Sequence, residues 1–275
     1  MTERYAVIGN PISHSKSPQI HGRFAAQTGA DLSYVRLWAP EDGFEAVAGA
    51  FFAGGGHGLN VTVPFKGQAH AFADTLTDRA RTAGAVNTLR AEPDGSRLGD
   101  NTDGVGLIRD LLDNLRVPLS GARILVLGAG GAARGILPAV LEQEPAELII
   151  ANRTRSRAEA LADDLPPTRA MGLDELGAEG VDLALNTTAA GLHDEMPALP
   201  AGLLASGAAA YDLVYADHDT PFMAWAREHG AGRVSDGLGM LVEQAAESFY
   251  LWRGRRPDTA PVIEALRRGE DGPAG

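Results

Sequence analysis

An apolar run, Ile124-Leu-Val-Leu127, passes directly into Gly128-Ala-Gly-Gly-Ala-Ala133 and then into a stretch of helix-forming residues that reaches Leu141. Glycines at that spacing allow a strand to turn tightly into a helix. They also let a pyrophosphate approach the free N–H groups at the positive helix end. A strand, a GxGxxA turn and a helix in that order belong to a parallel sheet crossed by helices. Around the turn, Ile124–Leu127, Leu148–Ala151, Leu183–Asn186 and Ala210–Val214 read as strands. Gly131–Leu141 and Ser156–Leu165, with Ser156 as cap, read as helices. The alternation is that of a doubly wound domain. Close packing alone also favours glycine, so the turn by itself does not name a ligand.

The segment about 20 residues past the turn carries that information, because an NAD site places an acidic residue there against the ribose. Here the chain reads Asn152-Arg153-Thr154-Arg155-Ser156-Arg157. Asparagine bonds a ribose or phosphate oxygen without repelling it, and arginines offer charged, bidentate donors to a 2′-phosphate. The expected cofactor is therefore NADP. A solvated basic loop is the competing explanation. It is the weaker one in a chain with 24 basic and 36 acidic residues and a formal charge of −12, where clustered arginines need a local reason. The same charge argues against a general nucleic-acid or anionic-membrane partner.

With 275 residues, 44% of them hydrophobic and 22% charged, the chain has the length of about two globular domains. It contains no cysteine, which excludes disulfides, thiolate nucleophiles and cysteine-ligated zinc. Neither His14 and His21 nor the loop His193-Asp194-Glu195 has a metal-ligand spacing, so no metal is expected. The start, Met1-Thr2-Glu3-Arg4, shows no signal-type apolar region, and no uninterrupted apolar stretch approaches membrane-spanning length. A cytoplasmic protein without a membrane partner is expected.

The first hundred residues alternate strands Tyr5–Ile8, Leu32–Leu37, Leu59–Val63 and Val86–Leu89 with helices. These are Pro18–Thr28, with Ser17 as cap and Gly29 as stop, and Phe44–Phe52. That is an α/β pattern on a mostly parallel sheet, and Asp94-Gly95 marks a turn. Asp103–Leu115 reads as a helix linking two domains, and two more helices, Leu238–Trp252 and Thr259–Arg268, precede a frayed tail. The expected organisation is a substrate domain over residues 1–101 and a dinucleotide domain over 102–237. Helices in 238–275 would return to the first domain through the apolar face of Leu238, Leu241, Ala245, Phe249 and Trp252.

Only Lys16 and Lys66 among the 24 basic residues are lysine. Arginine stays protonated, whereas lysine can lose its proton, so a chain that otherwise uses arginine marks these two positions for proton transfer. Chance sparing by codon bias is the alternative, and it carries more weight for Lys16. Both lysines read as loop residues. Lys66 follows Asn60-Val-Thr62-Val-Pro64-Phe65, just past the carboxyl end of a strand, where open α/β sheets bind ligands. Gly99-Asp100-Asn101-Thr102-Asp103-Gly104 precedes the linking helix. One of Asp100, Thr102 and Asp103 is expected to cap it, and another carboxylate to pair with Lys66. In the early loop, Ser15 and Ser17 project to one side and suit a carboxylate, unless Ser17 only caps its helix.

Together these segments resemble the shikimate dehydrogenase family over nearly the whole chain. The resemblance rests on Gly9-Asn-Pro11, Ser15-Lys-Ser-Pro18, Asn60-Val-Thr-Val-Pro-Phe-Lys66 and Gly84-Ala-Val-Asn-Thr88. It continues through Gly99-Asp-Asn-Thr-Asp-Gly104, the glycine-rich turn, Asn152-Arg-Thr154, and Asp236-Gly-Leu-Gly-Met240 with Gln244. It implies a two-domain α/β fold and reversible NADP-linked oxidation of shikimate to 3-dehydroshikimate on the way to chorismate and the aromatic amino acids. By that likeness Lys66 and Asp103 are the catalytic pair, and Ser15, Ser17, Thr62, Asn87, Tyr215 and Gln244 hold the substrate. Gly128, Ala129, Gly130, Gly131 and Ala132 cradle the pyrophosphate. Asn152, Arg153, Thr154 and Arg157 take the 2′-phosphoadenosine, Leu213 and Gly237 the nicotinamide end, and Asp78 a further cofactor contact. There are two departures from the family: alanines at 189 and 190 stand where relatives commonly carry serines, and Leu213 replaces a common methionine. The alternatives are a quinate or dual-specificity dehydrogenase using NAD, and a catalytically silent NADP-binding sensor. Beyond its small-molecule substrate, the chain is expected as a monomer or homodimer.

Overall fold

The computed structural model describes residues 2–188, 196 and 198–270. The element order is β1 (Glu3–Gly9), α1 (Ser17–Thr28), β2 (Leu32–Trp38), α2 (Phe44–Ala53), β3 (Gly56–Val61), α3 (Lys66–Phe72), β4 (Thr75–Leu76), α4 (Asp78–Ala83), β5 (Thr88–Ala91), β6 (Arg97–Asp100) and α5 (Asp103–Arg109). A π-helical turn, Asp110–Asn114, continues α5. Then come β7 (Arg123–Leu127), α6 (Gly131–Leu141), β8 (Glu147–Asn152), α7 (Arg155–Asp163), β9 (Arg169–Gly172), β10 (Val181–Asn186), β11 (Leu204–Asp212), α8 (Pro221–Glu228), β12 (Arg233–Ser235), α9 (Leu238–Arg253) and α10 (Ala260–Arg267). The chain forms two compact units, Met1–Gly106 with Leu241–Gly275, and Leu107–Met240.

In the first unit a six-stranded sheet runs β2-β1-β3-β5-β6-β4. β1 pairs in parallel with β2 and β3, and β4 with β6, while β3–β5 and β5–β6 are antiparallel, so the sheet is mostly parallel, as expected, with an antiparallel hairpin set into it. The antiparallel part is the hairpin that turns at Asp94-Gly95, where Gly95 has φ 88°. Ala6, Ile8, Leu59, Val61, Phe44, Phe65 and Leu89 make one buried core of this unit. A second, smaller one is Tyr5, Val7, Ile12 and Tyr34, packed with Trp252 of α9.

The second unit has six parallel strands in the order β12-β11-β10-β7-β8-β9. The chain starts in the middle at β7, proceeds to one edge, then restarts at β10 toward the other. The carboxyl ends of β7 and β10 therefore flank the point where strand order reverses, the usual ligand crevice of such sheets. Apolar clusters lie on both faces, one around Ile124, Val126, Ile136 and Leu185, the other around Leu125, Ile149, Ala184 and Phe222. Strands buried on both faces explain the continuous apolar runs of the sequence.

Several local expectations change. Ser17 does not cap α1: it is the first helical residue, Lys16 at the N-cap position makes no side-chain cap bond, and the Ser17 N–H donates instead to Ser15 Oγ at 3.3 Å. Ser156 lies inside α7, whose N-cap residue is Thr154, again without a side-chain cap bond from that residue. Lys66 is not in a loop but opens α3. β3 begins three residues earlier and ends two earlier than expected. Gly56 and Gly58 hide its start, because each lies under a ring. A Cβ would meet Phe51 at 2.2 Å in the first case and Trp252 at 2.4 Å in the second. The sequence does not single out β6, α4, β9 or α8, and β4 and β12, with two and three residues, are too short for a periodic pattern. Ala189, Ala190, Gly191, the His193-Asp194-Glu195 loop and residues 271–275 of the tail lie outside the described residues. Among the described residues no helix is long and apolar enough to cross a membrane.

Candidate functional site

In the first unit, the end of β3 and the start of α3 carry Lys66 to the carboxylate of Asp103, at the first residue of α5. Lys66 Nζ donates to Asp103 Oδ2 at 2.5 Å, with the two side chains 25% and 9% exposed. The other oxygen, Asp103 Oδ1, accepts from Asn87 Nδ2 at 2.8 Å. The Asn87 amide can be oriented only one way, because its Oδ1 accepts the Thr102 backbone N–H at 2.9 Å and that group can only donate. Gln244, half-buried on α9, brings its Oε1 to 3.4 Å from Asn87 Nδ2 and 3.3 Å from Thr102 Oγ1. Lys66, Asp103, Asn87 and Gln244 thus form one constellation.

Beneath it lies a buried polar layer that the sequence did not single out. Ser248 Oγ meets Thr88 Oγ1 at 2.7 Å and accepts from Asn60 Nδ2 at 3.0 Å, while Tyr34 donates its hydroxyl to Asn60 Oδ1 at 2.7 Å. A polar residue inside a strand otherwise flanked by apolar ones, as Asn60 is, was the available signal; Ser248 gave none on a helix.

The expected cap of α5 is also redistributed. Asp103 is occupied with Lys66 and Asn87, Asp100 with Arg79 and Thr77, and Asn101 Oδ1 accepts the Asp103 N–H at 3.1 Å. Ser15 and Ser17 stand together as expected, Oγ to Oγ at 3.1 Å, with the Ser15 carbonyl held by Arg36 at 2.6 and 3.0 Å. Thr62 is half-buried in the turn after β3, its methyl against Gly9, where a Cβ would approach it to 2.6 Å. Asp78 is fully exposed and paired with Arg81, in a different unit from the glycine-rich turn.

The second unit fits a dinucleotide phosphate. Gly128 has φ 104°, and a Cβ there would meet Thr187 Oγ1 at 2.6 Å, so glycine is required for the turn to close against β10. Gly130 and Gly131 have open space where a side chain would project. α6 begins with no side-chain cap and no acidic residue in its first turn. Its leading N–H groups, beside the small and exposed Ala132 and half-buried Ala129, form a ready anion site.

Past β8, Asn152 Nδ2 donates to the Thr154 carbonyl at 2.9 Å and fixes that loop. Arg155 is engaged by Glu159 and Glu175. Arg153 and Arg157 are exposed, and among the described residues neither has an ion pair, leaving two guanidinium groups for a phosphate. Gly237 abuts Leu213, whose carbonyl oxygen would be 2.2 Å from a Cβ. Tyr215 is half-buried nearby in sequence, and burial raises its hydroxyl above the usual phenol range. Among the described residues no group of three or more His, Asp or Glu could hold a metal ion.

Three family models match successive parts of the chain. They are described as shikimate dehydrogenase substrate binding domain (residues 7–89), shikimate / quinate 5-dehydrogenase (111–192) and shikimate 5′-dehydrogenase C-terminal domain (237–267). A curated relative, the shikimate dehydrogenase (NADP(+)) of Halorhodospira halophila, is 70% identical over 269 residues, covering 98% of this chain and 100% of the relative. The chain belongs to the shikimate dehydrogenase family. Within that family, the solved shikimate 5-dehydrogenase from Thermus thermophilus, in complex with NADP(H) and shikimate, superposes with a TM-score of 0.88. It is 36% identical and covers 97% of this chain and 99% of that one. An Ael1 enzyme from Pseudomonas putida superposes with a TM-score of 0.92 at 46% identity, covering 96% of this chain and 98% of the other. The two-domain α/β architecture expected for a shikimate dehydrogenase is the one observed.

Proposed function

We infer that this chain is an oxidoreductase that catalyses the reversible, NADP-linked oxidation of shikimate to 3-dehydroshikimate, a step toward chorismate and the aromatic amino acids. The observation that carries this reading is the 2.5 Å contact of Lys66 Nζ with Asp103 Oδ2, backed by Asn87 on the other carboxylate oxygen. In this assignment the Lys66 amine receives the proton of the substrate hydroxyl in oxidation and returns it in reduction. Asp103 holds the amine in place and offsets its charge, an arrangement suited to general acid–base work. Asn87, Gln244 and Thr62 orient the ring hydroxyls, Ser15 and Ser17 donate to the carboxylate, and Tyr215 completes the substrate set.

NADP, when bound, supplies the hydride acceptor. The chain's part is to hold it: Gly128 to Ala132 at the α6 N-terminus take the pyrophosphate, and Asn152, Arg153, Thr154 and Arg157 the 2′-phosphate end. Leu213 and Gly237 lie at the nicotinamide end. Leucine has the bulk and apolarity of the methionine it replaces, so little loss is expected there. Asp78, in the other unit and already paired with Arg81, is the weakest member of the set. The substrate domain is assigned to residues 1–101, the cofactor domain to 102–237 and the returning helices to 238–275, with the cytoplasm as compartment, where the step draws on the NADP pool.

The test is absorbance at the reduced-nicotinamide band after mixing the protein with each pairing of shikimate or quinate and NADP or NAD. Turnover with NADP and shikimate is expected to lead. Lys66→Ala is expected to lower kcat by about 10²–10⁴-fold with KM for shikimate little changed, as loss of a proton-transfer group should. Near-normal turnover by that variant refutes the assignment.

A further inference from the structure

Behind the acid–base constellation, Asp100 is wholly buried, a costly place for a carboxylate unless it is paired and hydrogen-bonded. Its Oδ2 accepts from Arg79 Nη2 at 2.5 Å. Its Oδ1 accepts from Arg79 Nε at 2.6 Å, from Thr77 Oγ1 at 2.6 Å and from the Asn101 N–H at 2.8 Å. The arginine fork therefore grips the carboxylate in two places, the geometry that a planar guanidinium provides and an ammonium cannot.

Both partners of the Asp103–Asn87 hydrogen bond hang on this one residue. Asn87 donates its backbone N–H to the Asp100 carbonyl at 3.0 Å. Asp103 donates its N–H to the side chain of Asn101, whose own N–H is held by Asp100 and whose Nδ2 is anchored on the Ala85 carbonyl at 3.0 Å. Next in the chain, the Val86 N–H reaches the Lys66 carbonyl at 3.0 Å. Every backbone segment that presents the constellation's first-unit loops is thus one or two hydrogen bonds from Asp100.

We propose that Arg79 is a positioning residue for the acid–base pair: by clamping the buried Asp100 carboxylate it fixes the turn from Asp100 to Asp103 and so sets how Asp103 meets Lys66. The proposal rests on the assignment of Lys66 and Asp103 as that pair. Arg79 itself touches neither. Its second partner, Glu247 of α9 at 3.2 Å, is shared with Arg256, which pairs with the other Glu247 oxygen. Arg256 therefore belongs to the same charge network without holding Asp100, and it separates a positioning role from a contribution to stability alone.

Turnover of Arg79→Ala, Arg79→Lys, Arg256→Ala and Lys66→Ala is compared at a temperature well below each variant's melting point. Displacing a catalytic group by about an ångström can cost on the order of 10²-fold in rate, so Arg79→Ala is expected to lose about 10- to 100-fold in kcat. Its KM for NADP should not change. Arg79→Lys, which keeps the charge but offers no fork, is expected to recover only part of the loss, and Arg256→Ala to stay within about twofold of the parent. The proposal is overturned if folded Arg79→Ala retains kcat within about twofold, or if Arg256→Ala loses as much as Arg79→Ala. Should Arg79→Ala not fold, Arg79→Lys decides: a severalfold drop in kcat supports the clamp and parental kcat removes it. Lys66→Ala keeps the two ideas apart, since an active Lys66→Ala sinks the acid–base assignment, whereas an inactive one beside a fully active Arg79→Ala sinks only the clamp.

Discussion

His21 lies flat against Tyr34, ring centroids 4.3 Å apart at 7°, and is 1% exposed, with Asn60 the polar side chain beside it. Burial disfavours the imidazolium and, outweighing the opposing effect of Asn60, pushes the His21 pKa down to about 3. The unfolded chain takes up this proton near pH 6.5 and the folded chain only near 3, so the contribution to stability is complete above 6.5. It is lost progressively as the pH falls from 6.5 toward 3. His21→Phe keeps the stacked ring and removes the titration. It is expected to reduce the drop in unfolding free energy between about pH 7 and pH 5 by about 2 kcal/mol, read from urea unfolding at the two values. An unchanged pH slope would show that the ring is protonated in the fold. The sequence could not tell this histidine from the other six. Lys66 was legible because an arginine-rich chain kept a lysine there, whereas spacing alone left both Asp100 and Asp103 as carboxylate partners and only the family resemblance pointed to Asp103.

At the scale of single elements, α6 runs over Gly131–Leu141 as the sequence indicated, because the turn that starts it and the apolar face that buries it are both local. The loop between β8 and α7 was legible for the same reason. Arg153 and Arg157 stay exposed there while Arg155, between them, is taken by Glu159 and Glu175. Loss of one charge-assisted bond in Arg153→Ala is expected to weaken NADP binding by about 1–3 kcal/mol and leave NAD binding nearly unchanged. Calorimetric titration with both cofactors checks this, and equal losses would place the arginine away from the 2′-phosphate. α3 went unread because seven residues with a glycine at the second position show no usable period.

On the scale of the whole chain, the boundary between the two units falls at Gly106–Leu107 and again at Met240–Leu241. Just inside the second unit, the buried carboxylate of Asp110 accepts the Tyr211 hydroxyl at 2.7 Å and lies against Gly239, where a Cβ would come within 2.0 Å of its Oδ1. Tyr211 in turn accepts the Met240 N–H at 3.2 Å. Helix propensity alone favours Gly239→Ala by about 1 kcal/mol. Overpacking against a buried, hydrogen-bonded carboxylate costs about 1–3 kcal/mol, and is expected to win. The variant should therefore melt lower than the parent in a thermal scan, and a higher melting point would show that Asp110 yields freely.

The sequence by itself determined the strand, turn and helix that start the doubly wound unit, the absence of an acidic ribose ligand, and the restriction of lysine to two positions. Each depends on residues a few places apart. Only the tertiary structure decided that Lys66 meets Asp103 across 37 residues and that Asn87 and Gln244 converge across 157. Those meetings depend on strand order, on the antiparallel β5–β6 hairpin that sets Thr88 opposite Asp100, and on the clamp of Arg79 beneath it. Such contacts arise from the register of distant segments, and a register is fixed by the burial of whole faces rather than by any residue's own preference.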